Sequence, residues 1–412
     1  MKISLIQPGR NNLKYLKWSY DSIRKNQGNH EVQICVADDA STDGTWGWCL
    51  ETMQKDLNFQ AIRNDTGKRL GHTILYDRLV NDVARHDVCM IYHADMYLCP
   101  GAIDQIEHKL KDKTIVSLTR IEPPLHPPGP EKILVDFGIE PEEFDEAKLL
   151  RYIEDSKFDR LTKITEGIFA PWAFYKKDFQ EINGHDSLFA PQSKEDTDIF
   201  NRLQLNGIKF IQTWGGCVYH MTCRGSRFAD GAKRNPDGEV FMKNRETDEW
   251  LKQNERSTRN FLRKWGHFCK HDEFLKPIIP SKYDIGFIIK NCNLELLKAL
   301  EPWCSTVYCD EQFQIGRYQD YIEIEQINTQ YDLQERILPI DNEKQNDILI
   351  EIDGSQFSNN DFRVLQTLSE ILDNDNELQE LIMIEPTHFE IENMKVTINK
   401  LETYENELIL CE

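Results

Sequence analysis

The chain has 412 residues, 40% of them hydrophobic and 29% charged, which is the make-up of a water-soluble, core-forming protein with two or three domains. Its 70 acidic residues against 49 basic ones leave a formal charge of −21. No apolar stretch approaches the ~20 residues of a membrane-spanning helix, and MKISLIQPGRNN carries too short an apolar run for a signal peptide. The expectation is a cytoplasmic protein with no integral membrane segment.

The charge is uneven. Residues 281–412 hold 28 acidic and 9 basic side chains, whereas the first 280 hold 42 and 40. The C-terminal third therefore repels nucleic acid and anionic membranes, and the rest is electrostatically permissive. Eleven cysteines, scattered and without a CxxC, indicate reduced thiols rather than a disulfide scaffold. Cys217, Cys223, His267, Cys269 and His271 are metal-capable types, but their spacing fits no zinc module.

In chain order, Ile3–Ile6 reads as a strand, followed by a turn cluster over 7–12. A helix follows with apolar residues at Leu13, Leu16, Tyr20 and Ile23. Val32–Ala37 is a second strand that runs into Asp38-Asp39-Ala40-Ser41-Thr42-Asp43-Gly44-Thr45, and a helix begins near Trp46. Ala61–Arg63 is a third strand, with a loop over 64–69 and a helix over 70–84. A fourth strand, Val88–Tyr92, ends in His93-Ala94-Asp95, and Pro100-Gly101 open another helix. Repeated strand–loop–helix units predict an α/β fold with a mostly parallel sheet and helices on both faces. A carboxylate just past the carboxyl end of a buried strand, as at Asp95, is where such sheets hold ligands.

Thr114–Leu118 is a further strand. Five prolines within 123–130 preclude regular structure there, and 121–162 reads as a lid-like insertion of loop and helix over the sheet edge. The apolar segment Gly167–Tyr175 leads to Lys194-Glu195-Asp196-Thr197-Asp198, a helix over 199–205 and strands at 208–213 and 217–220. Residues 224–270 are basic and include a helix over 250–265. Lys276–Ser281 marks the domain boundary. The expectation is a first domain over 1–275 and a smaller, acidic α/β domain over 281–412, with strands at 283–289, 306–308, 348–352 and 381–384.

Together QPGRNN, VADDASTDGT, HADM, GIFAPWAFY, KEDTD and VYHMTCRGS, in this order, resemble the family 2 nucleotide-sugar glycosyltransferases of the GT-A fold, over roughly residues 1–270. The resemblance implies transfer of a sugar from a nucleoside-diphosphate sugar, UDP-sugar favoured, to a hydroxyl acceptor with inversion. It also implies a divalent cation, Mn²⁺ or Mg²⁺, to neutralise the leaving diphosphate. Asp95 is the candidate cation ligand. His93 stands where the family's Asp-x-Asp has its first acid and is expected beside the ribose or the metal, and His220 matches a second ligand position. By the same resemblance Asp39 contacts the base with Asp38 beside it, and Pro8 and Arg10 line that pocket. Lys68 and Arg69 are candidates for the phosphates. Asp196 is the candidate general base, which takes the acceptor's hydroxyl proton, and Glu195 orients the acceptor. Trp172 and Trp214 are candidates to stack on a sugar, and Arg224 and Arg227 to meet the diphosphate or an anionic acceptor.

A saccharide or glycan precursor is the default acceptor, and a hydroxyl-bearing modified base in phage DNA is the alternative. Oligomerisation through 281–412 is open. A nucleotidyltransferase needs a Gly-rich basic loop after the first strand, where residues 7–12 offer only Gly9 and Arg10. A non-catalytic sugar-nucleotide or glycan-binding protein is the remaining reading, kept open by His93 in place of an acid.

Overall fold

A computed structural model of the chain describes residues 1–222, 231–242, 246–310, 317–374 and 386–411. They form two compact units. The first takes in Met1–Asn254, His271–Ile278 and the residues from Leu410, and the second Glu255–Lys270 with Ile279–Ile409. The carboxyl part of one long helix groups with the second unit.

In the first unit the strands are β1 (Lys2–Gly9), β2 (Glu31–Asp38), β3 (Phe59–Arg63), β4 (Val88–Ile91), β5 (Met96–Leu98), β6 (Thr114–Glu122), β7 (Lys132–Leu134), β8 (Ile164–Thr165), β9 (Trp172–Tyr175), β10 (Lys209–His220), β11 (Ala232–Arg234) and β12 (Val240–Met242). The helices are α1 (Leu13–Asn26), α2 (Thr45–Lys55), α3 (Gly71–Arg78), α4 (Ala102–Lys109), α5 (Glu146–Asp155), α6 (Lys157–Arg160), α7 (Lys176–Glu181) and α8 (Glu195–Leu205), and α9 (Asp248–Trp265) starts here. One ten-stranded sheet runs β3-β2-β1-β4-β9-β6-β10-β5, with β7 on β6 and β8 on β10. The half β3-β2-β1-β4 is parallel as expected, because helical crossovers join its strands. β9 and β5 run antiparallel to their neighbours.

The near-continuous apolar runs of the parallel strands bury both faces. Ile3, Leu5, Val32, Ile34, Met90 and Val116 are fully enclosed, each contributing about 1.5–3 kcal/mol by burial. The helix expected to open at Pro100-Gly101 is α4, which starts at Ala102, with β5 between it and Asp95. Two expectations are corrected. The strands expected at 208–213 and 217–220 are one strand, β10, with a register shift between Thr213 and Cys217. The insertion over 121–162 is joined to the sheet: β6 continues to Glu122 and β7 pairs with it in parallel. Its Phe137 and Leu149 are buried with Tyr15, Tyr97 and Tyr219 in a satellite core.

The second unit has β13 (Ile285–Lys290), β14 (Thr306–Cys309), β15 (Ile337–Pro339), β16 (Ile348–Asp353), β17 (Thr387–Ile391) and β18 (Met394–Ile398), in the order β15-β14-β13-β16-β18-β17. Its helices are α10 (Leu294–Leu300), α11 (Arg317–Glu325), α12 (Leu333–Arg336), α13 (Asn359–Gln366) and α14 (Leu368–Asn374). The strand expected at 381–384 lies outside the described residues. Under the sheet, Arg263 and Arg336 both grip the fully buried Glu301, with Arg263 Nη2 at 2.7 Å and Arg336 Nε at 2.9 Å. Burial alone would raise the carboxyl of Glu301, but Arg336 and Arg263 outweigh it and hold it at about 2.

Among the described residues no helix is long and apolar enough to cross a membrane, and none of the ten described cysteines forms a disulfide. Glu301→Ala is expected to cost about 3–5 kcal/mol in urea unfolding, because it removes the counter-charge shared by buried Arg263 and half-buried Arg336. With its folded value depressed, Glu301 stabilises the protein fully above the ordinary carboxylate range, and that contribution disappears as pH falls towards 2. The acid limb of a stability–pH curve should therefore flatten in the variant.

Candidate active site

The site is assembled by strand register. β4 ends at Ile91, and the chain turns through His93-Ala94-Asp95, closed by Met96 N–H donating to the His93 carbonyl at 3.3 Å. It re-enters the sheet as β5, antiparallel to the end of β10, with Met96 opposite His220. Met221 N–H donates to the Asp95 carbonyl at 3.0 Å. This pairing brings one ligand atom each of His93, Asp95 and His220 within 4.8 Å of one another. His220 Nε2 lies 3.4 Å from Asp95 Oδ2, and its Nδ1 donates to Glu122 Oε1 at 2.9 Å.

Burial and charge set the protonation of the group. Burial pulls His220 down, but Asp95 and then Glu122 outweigh it and push it up to about 9. Burial pulls His93 down to about 3, against the pull of Asp95. Asp95 is held at about 2, where His220 overrides the cost of burial. Glu122 is held well below the usual carboxylate range by His220, Arg120 and Lys132, again against burial. His72, from the first turn of α3, stacks on His93 at 6.5 Å between ring centres and is lowered to about 4 by burial.

The second wall is the loop ahead of α3. Asp39, buried at the end of β2, accepts from Asn64 Nδ2 at 2.6 Å, Leu70 N–H at 3.0 Å and Gly71 N–H at 2.9 Å. Asp39 thus anchors the 64–71 loop, and its Oδ2, with a single loop donor, keeps capacity to accept another hydrogen bond. A buried carboxylate needs donors, and the open N–H groups at the start of α3 supply them. Asp38 Oδ1 accepts from Ser41 N–H at 3.0 Å, and Arg63 Nε lies 3.4 Å from its Oδ2. Pro8 is buried at the end of β1, while Arg10 and Lys68 are exposed. Arg69 is half-buried, and its Nη2 donates to Gln192 Oε1 at 2.6 Å.

The third wall is the N-terminus of α8, beside Gly71. A Cβ on Gly71, at φ +77°, would stand 2.0 Å from the Pro191 carbonyl oxygen, so the two loops touch only because that residue is glycine. Glu195 is buried and its Oε2 has no hydrogen-bond partner among the described residues. Burial first, and then the charge of Asp196, raise its carboxyl well above the ordinary value. Asp196 keeps an open approach to solvent but sits in a recess dense enough that desolvation raises it too, with His185 opposing. Tyr76 on α3 is raised by burial and by the charges of Asp196, Glu195 and Asp95, so α3 lies between the strand-end cluster and the acids of α8. Its ring stacks on His185 at 5.5 Å, and His185 Nδ1 is 2.7 Å from Asp77 Oδ1.

Two expectations fail on burial. Trp172 lies in the sheet core, 4.6 Å from the Phe174 ring and 5.7 Å from Phe200. Trp214 donates to Thr165 Oγ1 at 3.0 Å and has Lys163 Nζ 3.4 Å above its ring. Neither presents a face to a sugar. Arg224 and Arg227 lie outside the described residues. Missed by sequence were Glu122, His72, Tyr76 and His185. The i, i+4 spacing of His72 and Tyr76 marked one face of a helix, but nothing local marked Glu122. It reaches His220 only because Ile121 pairs with Tyr219 across β6 and β10.

Residues 4–180 match the family model described as glycosyl transferase family 2, so the resemblance read from the motifs is borne out over that segment. The mixed α/β sheet is consistent with the GT-A fold. Among solved structures, similar chains include residues 1–349 of TarS from S. aureus, at 14% identity over 53% of this chain and 60% of that one, TM-score 0.39. They also include the mannosyltransferase PcManGT from Pyrobaculum calidifontis in complex with GDP-Man and Mn²⁺, at 13% identity over 54% and 58%, TM-score 0.38. A third is GalNAc-T7 with UDP, GalNAc and Mn²⁺, at 13% identity over 53% and 43%, TM-score 0.40. The chain thus spans 60% or less of the length of each. No curated protein matches.

Asp39→Ala should free the 64–71 loop. The expected loss is about 1–3 kcal/mol of stability, from the donors left unpaired, with faster hydrogen exchange at Leu70 and Gly71. Unchanged exchange at those two amides would show that Asp39 does not anchor them.

Proposed function

We propose that the chain is a glycosyltransferase that moves a sugar from a nucleoside-diphosphate sugar, UDP-sugar favoured, to a hydroxyl acceptor. The observation that carries this reading is the convergence of His93, Asp95 and His220 opposite the raised carboxyl pair Glu195 and Asp196. A cation needs a cluster of donors, and a sugar acceptor needs a base. The first unit offers both, and Tyr76 feels the charges of Asp196, Glu195 and Asp95 together.

Of the two expected ions, the donor set of two imidazoles and one carboxylate suits Mn²⁺ better than Mg²⁺, which takes oxygen ligands. His93, Asp95 and His220 would hold the ion, which when bound supplies positive charge to the diphosphate as it leaves. The remaining chemistry belongs to the chain. Asp196, open to solvent and raised by its surroundings, accepts the proton of the acceptor hydroxyl as that oxygen forms its bond to the anomeric carbon. The bond from that carbon to the diphosphate breaks on the opposite face, its electron pair leaves with the diphosphate, and the configuration inverts. Glu195, buried beside Asp196 and raised so that it holds its proton, orients the acceptor. Asp39 keeps the 64–71 loop in place beneath the donor. The charge of 281–412 disfavours a polyanionic acceptor such as DNA, so the acceptor is a saccharide or glycan precursor.

The test is release of UDP from UDP-sugars with and without Mn²⁺, using saccharide acceptors. EDTA should abolish turnover and Mn²⁺ restore it. Asp95→Ala and His220→Ala should lower kcat/KM by at least ~100-fold, or about 2.7 kcal/mol. Asp196→Asn should lower kcat about 10²–10⁴-fold, the usual contribution of a general base, while nucleotide affinity is kept. Wild-type transfer by the Asp196 variant would overturn the mechanism. Absence of any nucleoside-diphosphate binding would overturn the function.

A further inference from the structure

The buried charges behind His220 exceed what that histidine alone requires. Glu122, 1% exposed, accepts from His220 Nδ1 at 2.9 Å. Its Oε1 also lies 3.4 Å from Arg120 Nη1, and its Oε2 lies 3.6 Å from Lys132 Nζ. Arg120 and Lys132 in turn meet Glu131 Oε1, at 3.6 and 3.7 Å. Lys132 belongs to β7, so the 121–162 insertion supplies part of this support.

We propose that Glu122 is a positioning residue for the cation site: by accepting the Nδ1 hydrogen of His220 it aims Nε2 at Asp95 and His93. The inference rests on the cation reading above and deepens it. An ionised carboxylate only accepts hydrogen bonds. The imidazole nitrogen facing Glu122 therefore carries a hydrogen, and Nε2, already directed at Asp95 Oδ2, is the nitrogen a cation would take on displacing its proton. Without Glu122 the ring is free to rotate about its Cβ–Cγ bond and to take the other tautomer, and both changes remove the lone pair from the cluster. Carboxylates behind a ligating histidine act in this way at metal sites, and their loss weakens metal binding about 10–100-fold. Arg120 and Lys132 balance the buried charge of Glu122, so it stays ionised in a place where an unpaired carboxylate would not.

The experiment measures Mn²⁺ affinity of the full chain by electron paramagnetic resonance, without nucleotide and with UDP, alongside the thermal midpoint. Asp95→Ala and His220→Ala should weaken Mn²⁺ binding. Glu122→Ala should weaken it about 10–100-fold. Glu122→Gln, whose amide oxygen still accepts the Nδ1 hydrogen, should recover most of that loss. The Glu122→Ala/His220→Ala double variant should bind no worse than His220→Ala, because Glu122 acts only through His220. Should Glu122→Ala not fold, Glu122→Asp, too short to reach Nδ1, carries the same expectation. A folded Glu122 variant with wild-type affinity, or a double variant whose losses add, overturns the proposal and leaves the cation site standing. Wild-type Mn²⁺ affinity in Asp95→Ala and His220→Ala overturns the cation site and this inference together.

Discussion

The pairing of β5 with the last residues of β10 is the constraint on which the first unit's chemistry depends. Only three residues of β5 take part, and Met96 faces His220. The pairing is what turns a strand-end carboxylate into a cluster, since it sets Asp95 and His220 side by side. Slipping the register by one residue would send His220 to the opposite face of the sheet. The enclosed side chains of β5, Met96, Tyr97 and Leu98, hold the register, and the parallel β6–β10 ladder holds the strand behind it.

Buried charge then dictates what surrounds that pairing. A carboxylate taken out of water must be given donors or counter-charges. Asp39 meets this need with loop amides and so ties the 64–71 loop to β2. Glu122 meets it with His220, Arg120 and Lys132 and so ties the insertion to the sheet. Glu195 departs from this: its Oε2 meets no hydrogen-bond donor among the described residues, and the same is true of Asp38 Oδ2 and both oxygens of Asp178. The carboxyl of Glu195 is raised, so burial is relieved there by holding a proton rather than by donors or counter-charges. The second unit applies the same rule where Glu301 is clamped by Arg263 and Arg336.

Much of this was legible in the residues. The strand–loop–helix rhythm over 1–110 follows from apolar runs punctuated by Gly, Asp and Asn. Asp38, Asp39, Asp95, Glu195 and Asp196 stand out because acids just after strands or at helix starts carry their own local signal. The tryptophans misled because an aromatic in an apolar segment reads alike whether it faces a ligand or a core. The lid-like reading of 121–162 missed β7, whose three residues are too few to show a period. In the second unit the hairpin of β17 and β18 went unseen, because its alternating polar and apolar residues are interrupted by a turn of ordinary side chains, Glu392 and Asn393.

The sequence by itself determined the class of sheet, the order of its elements and which acids would gather at the strand ends. Those properties depend on local periodicity and on the direction of the chain. The tertiary structure decided the rest: that Asp39 anchors a loop, that Trp172 and Trp214 are walled in, and that Glu122 stands behind His220. Each of these depends on register between segments far apart in the chain. Register is set by the summed packing of whole strands, which no short stretch of residues carries.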